Sequence, residues 1–309
     1  MSNLIKFYSN DLVDALYYFE YHGPLYKNIK WIPRESGVKD LYKLVKEIKF
    51  TRFKYFLPWA RYTAVINQID SPKKLAKYIK EHPPRGKFGE QWAEDHEKMN
   101  DILQEIFNLF KKNVLSDQKK NELEELRERI RNKYSKIMDK LKVESEKIPG
   151  IIWKRKEPII CLVYPIDGRL SHTLNFADIA FIETSELMLN DENSFFHDVV
   201  KVLNFKKPVG AWVKQDRRGI RAIAYELFTQ MQTQKIVEAI YQKKPNFRKV
   251  ILEKLDTIWI PVIRDQTLFD EDELERILLD AYKMIPKHKF DALYQLGELY
   301  TELNIILLT

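Results

Sequence analysis

Hydrophobic residues recur with a helical period along most of this chain, and in two places the period gives way to short unbroken apolar runs. Residues 10–22 read as a helix capped by Asn10 and halted by Gly23 and Pro24. The period returns over 38–49 through Val38, Leu41, Leu44, Val45 and Ile48, and an aromatic-rich stretch from Phe50 to Tyr62 then carries Pro58. A short helix is predicted from Ser71, its cap, with Pro72 in the first position, where a missing N–H does no harm. Pro83 and Pro84 end it. Two long helices are predicted next, over about 90–112 and 117–146. The second carries Leu123, Leu126, Ile130, Tyr134, Ile137 and Leu141 at three- and four-residue spacing, a coiled-coil-like seam. Such a stripe must be buried against a neighbour, and an antiparallel hairpin through 113–117 meets that need.

The pattern changes at 148–158. Residues 159–164 and 177–184 are apolar runs too short for typical helices, and they read as neighbouring strands joined by a polar stretch with Asp167 and Gly168. A helix over 192–203 is expected to pack on them, with Phe196, Val199, Val200 and Leu203 on one face. Residues 208–214 read as a loop or short edge strand and 219–242 as a long helix. Three more helical segments fill the remainder. The fold class is therefore α+β and predominantly helical: a helical region with a long hairpin over 1–148, and an α+β region around a small sheet over 149–309.

Composition narrows the class of protein. Of 309 residues 45% are hydrophobic and 31% charged, which describes a chain that buries a core. A single cysteine, Cys161, excludes an internal disulfide framework, and its apolar setting points to a buried inert thiol. The net charge of +7 comes from basic and acidic residues interspersed along the chain, a composition also found in heat-adapted proteins. Asp11 and Asp14 interrupt the stretch where a signal peptide needs continuous apolar residues, and no window reaches the roughly 18 apolar residues of a membrane helix. The expected location is the cytoplasm, away from membranes. No glycine-rich phosphate loop and no Gly-x-Ser-x-Gly elbow occurs, which argues against kinases, nucleotide-dependent dehydrogenases and serine hydrolases.

One stretch carries candidate chemistry. Zinc peptidases place two histidines one helical turn apart, with a glutamate directly after the first, so that both imidazoles face one metal while the carboxylate polarises its water. Here His197 takes the first position and Asp198 the second, and Lys201 stands where the second histidine belongs. A protonated lysine does not ligate zinc. The stretch from Ile159 to Glu226 nevertheless resembles the glutamate-type zincins, including peptidase-like families of bacteria and archaea, and the helix over 10–22 resembles the lead-in of such families. The resemblance implies strands before the metal helix and a glutamate ligand from the helix after it, a position that Glu226 fills. It implies His197 and Glu226 as metal ligands and Asp198 as the base. With Lys201 in place, it implies a degenerate metallopeptidase-like protein without zinc proteolysis, acting as a binding or scaffold protein on a protein or peptide partner. No cofactor is then expected, or zinc if the site still functions as an unusual peptidase.

Two other readings stand beside it. His197, Asp198 and Lys201 share the polar side of their helix, where a solvated face needs no function, and His96 with Glu97 and Asn100 makes a second partial match to the same pattern. Basic clusters at 73–80 with Arg85 and Lys87, at 206–207, 214–221 and 243–249, with Tyr78, Phe88, Trp212, Tyr241 and Phe247 nearby, are the residue types of a nucleic-acid-binding protein.

Overall fold

A computed structural model describes residues 6–22, 56–82, 89–147, 159–165, 179–190 and 220–242, with single residues between 192 and 199 and between 270 and 304. The helix expected over 38–49 and the segment 208–214 lie outside the described residues. The chain folds as two compact units. The N-terminal unit is Phe7–Glu128 with Cys161–Gly168, and the C-terminal unit is Met1–Lys6, Arg129–Ile160 and Arg169–Thr309.

In the N-terminal unit the strand β1 (Lys6–Tyr8) leads into helix α1 (Asp11–His22). Asn10 caps α1 by accepting from Val13 N at 2.7 Å, and its own amide donates to Ile69 O at 3.0 Å, so one side chain starts the helix and ties it to a distant turn. Leu12, Val13, Ala15, Leu16, Tyr17 and Phe19 are all buried, which makes α1 the centre of the unit's core. It packs against α2 (Phe56–Ile66) and α4 (Gly89–Asn113), and α4 also packs against α3 (Pro72–Glu81). The α3 helix starts as its sequence requires, with Ser71 accepting from Lys74 N and Pro72 in the first turn. His82 forms its C-cap and stacks on Tyr78 at 4.1 Å. Its Leu75, Ala76 and Ile79 are buried, as are Met99, Ile102, Leu103, Ile106 and Phe110 of α4 at helical spacing.

Helix α5 (Asp117–Glu146) buries Leu123, Arg127, Ile130, Tyr134, Met138, Leu141 and Ser145. The stripe exists, but it passes through Arg127 and Met138 where the apolar pattern named Leu126 and Ile137, both only half-buried. The physical reason is an ion pair that makes an arginine a core residue, described below.

Strands β2 (Ile159–Val163) and β3 (Ile179–Glu183) form with β1 a small parallel sheet in the order β1-β2-β3. Both apolar runs are strands of one sheet, and Cys161 is buried in the middle one. The protein is thus mostly helical with a small sheet. In the C-terminal unit a one-turn helix, α6 (Glu186–Asn190), follows β3, and Glu192, Phe195, Phe196 and Val199 are helical too. Tyr134 stacks on Phe195 at 3.8 Å with the rings 11° from parallel, meets Phe196 edge-on at 5.7 Å, and donates from its hydroxyl to Met188 O. Among the described side chains of helix α7 (Ile220–Tyr241) most are buried, including Thr229, Gln232, Thr233 and Gln234. Thr229 and Thr233 satisfy their hydroxyls by donating to the carbonyls of Tyr225 and Thr229 one turn back. Gln242 ends α7 at φ 56°, a left-handed position that glycine fills most easily.

Candidate functional site

The strongest electrostatic feature of the N-terminal unit is a buried ion pair. Both carboxylate oxygens of Asp14 accept from Arg127 Nη2, at 2.6 and 2.7 Å, and Oδ1 also accepts from Tyr164 N at 2.8 Å. Arg127 Nη1 donates to Glu124 at 2.7 Å. Burial holds the Asp14 carboxyl above its usual range, against the pull of Arg127 and the Tyr164 N–H. Burial also opposes the charge on Arg127, but Asp14 and Glu124 outweigh it and leave the guanidinium above its ordinary value. A guanidinium only donates, so three hydrogen bonds from two donor atoms converge on Asp14 as a carboxylate. The rings of Tyr18, Phe110 and Tyr164 pack beside it, with centroids 5.3 to 6.0 Å apart. Such a closed, saturated pair holds helices in register and offers nothing to a ligand.

A second buried pair is made differently. Glu20 of α1 and Arg61 of α2 are 1% and 0% exposed and approach to 3.2 Å. The Arg61 guanidinium lies 5.0 Å from the centroid of the Tyr17 ring. Glu20 Oε2 accepts no hydrogen bond. Burial raises the Glu20 carboxyl to about 7, against the pull of Arg61.

Of the residues assigned to a zinc site, Glu226 stands in the first half of α7, while His197, Asp198 and Lys201 lie outside the described residues. Phe196 and Val199 are buried, as expected of the apolar face of that helix, and Phe195 is buried with them. The Phe196 ring lies 6.1 Å from that of Tyr241, the last residue of α7. The Tyr241 hydroxyl is raised to about 12 by burial and by the Glu192 carboxylate. Position 226 precedes Tyr241 by 241 − 226 = 15 residues, roughly 22 Å of helix at 1.5 Å per residue.

Among the described residues no group of three or more histidine, cysteine, aspartate or glutamate side chains is placed to hold a metal. No helix among them is long and apolar enough to cross a membrane. Of the basic clusters, 206–207 and 243–249 lie outside the described residues. The cluster on α3 is described, with Lys73, Lys74, Lys77 and Lys80 exposed. Two of these lysines already face acids one turn away, Lys74 with Asp70 at 2.8 Å and Lys77 with Glu81 at 3.8 Å, which reduces the field available to a polyanion.

The two buried ion pairs were not assigned from the sequence. Their signal there is a charge inside an apolar stripe: Asp14 and Glu20 within the buried positions of α1, and Arg127 midway between Leu123 and Ile130. Comparison of the chain with protein-family models, curated proteins and solved structures returns no match.

Proposed function

We propose that this protein is a degenerate relative of the glutamate-type zinc peptidases that has lost zinc proteolysis and serves in the cytoplasm as a binding or scaffold protein for a protein or peptide partner. The observation that carries the reading is the succession of elements from β2 to α7. The order of elements (two strands, a helix around 195–199, then a long helix bearing position 226) agrees with the peptidase-like plan. Lys201 in the place of the second imidazole argues against a working site, since it puts a fixed cation where a cation is to be bound.

The test is the metal content of purified, untagged protein together with peptide hydrolysis measured beside a His197→Ala control. The expected result is no stoichiometric zinc and no hydrolysis above the control. Lys201→His restores imidazoles at i and i+4, and zinc gained by that variant but lost again on adding Glu226→Ala would show that the metal-site plan survives in the backbone. One zinc per chain in the native protein, with hydrolysis that His197→Ala abolishes, overturns the reading in favour of an active peptidase with an unusual site. Salt-sensitive retention of an oligonucleotide near physiological ionic strength, weakened by removing Arg217 and Arg218, overturns it in favour of nucleic-acid binding.

A further inference from the structure

Helix α1 carries two buried carboxylates, and the fold treats them differently. Asp14 accepts three hydrogen bonds, two of them from one guanidinium. Glu20 is equally buried, yet its Oε2 accepts none, and Arg61 Nη2 stands 3.2 Å away without hydrogen-bond geometry. Attraction to one cation, with Oε2 left without a hydrogen bond, does not offset the hydration a carboxylate loses on burial. The neutral acid, by contrast, loses little hydration there. Arg61 keeps a partner when Glu20 is neutral, because its guanidinium rests 5.0 Å from the Tyr17 ring centroid.

We infer that Glu20 is a proton-uptake site in the seam between α1 and α2, and that this seam tightens when the carboxyl is protonated and loosens when it ionises. The charged group facing Glu20 from α2 is Arg61, and α1 itself places the Tyr17 ring under that guanidinium. Helix α4 also packs on α1, and among its described side chains none acts on Glu20.

Burial places the carboxyl at about 7 in the folded state, against an ordinary value of 4.5. A carboxyl raised by folding contributes stability that is fully present below its ordinary value and is lost as pH rises through the folded value. The window therefore runs from pH 4.5 to about 7, with the tighter seam on the acid side. This sign is opposite to that of a carboxylate locked in a good salt bridge.

Two measurements on the full chain decide the matter. In protein labelled with 13C at the glutamate side-chain carboxyl, one resonance titrates near neutrality and disappears in Glu20→Gln. Should that variant fail to fold, Glu20→Asp removes the same resonance and serves for the assignment. Hydrogen exchange of α1 and α2 amides then compares native protein with Glu20→Gln. The ratio of their opening constants rises by close to tenfold per pH unit, the most one proton yields, through the window and is flat above it. A Glu20 resonance titrating in the ordinary acidic range overturns the inference, and so does a ratio that stays flat across the window.

Discussion

Removing the Asp14 carboxylate leaves Arg127 with a charge that has almost no access to water. Asp14→Ala deletes three hydrogen bonds and strands a guanidinium that is 1% exposed. Breaking one partner of a buried pair costs about 3–5 kcal/mol, and an orphaned backbone N–H adds to the upper end of that range. Glu124, half-buried on the same helix, retains one bond to Arg127 and moderates the loss, so about 4 kcal/mol is expected. For a chain of this size that corresponds to a fall in melting temperature on the order of 6 °C. Replacing both partners with apolar residues, Asp14→Leu with Arg127→Met, removes the unpaired charge and should recover more than half of the loss. The assay is chemical denaturation followed by far-ultraviolet circular dichroism, with hydrogen exchange at α1 confirming that the loss arises there. A loss below about 1 kcal/mol for Asp14→Ala would refute the reasoning, as would a double variant no more stable than the single.

Two further substitutions test the C-terminal unit. Tyr134→Phe keeps the stack on Phe195 but loses the bond to Met188 O, and should cost about 1 kcal/mol, whereas Tyr134→Ala should cost about 3–5 kcal/mol, both read by thermal melting. The register of α5 is tested by glutamate at adjacent positions: Met138→Glu should unfold or severely destabilise the protein, and Ile137→Glu should be the milder change in the same melt.

How much of this was legible in the sequence depended on whether the signal was local. The strands around Cys161 and Phe181 are unbroken apolar runs, and Asn10 and Ser71 are cap residues directly ahead of helical patterns, so each element announces itself within a few residues. The α5 stripe was read one residue off at two places because the pattern rewarded Leu126 over Arg127. Only the partner makes Arg127 a core residue, and that partner is Asp14, 113 positions away. Ile137 was favoured over Met138 for want of knowing which neighbour the helix faces, and Tyr134 and Phe195 settle that question through tertiary contact. Strand β1 has three residues, too few to show alternation. For the zinc motif the spacing of His197 and Lys201 is legible in the sequence, and of its residues only Glu226, on α7, lies among the described ones.

The lone thiol gives the molecule a built-in clock. Cys161 is fully buried in the central strand of the sheet, and no other cysteine in the chain competes for a reagent. Alkylation therefore proceeds only through conformations in which the middle of the sheet has come apart, and every modified molecule records one such event. At low reagent concentration the rate follows the population of those open forms, and at high concentration it follows the rate at which they appear. The residue least suited to chemistry in the resting fold is thus the one that times its breathing, without a label having to be introduced.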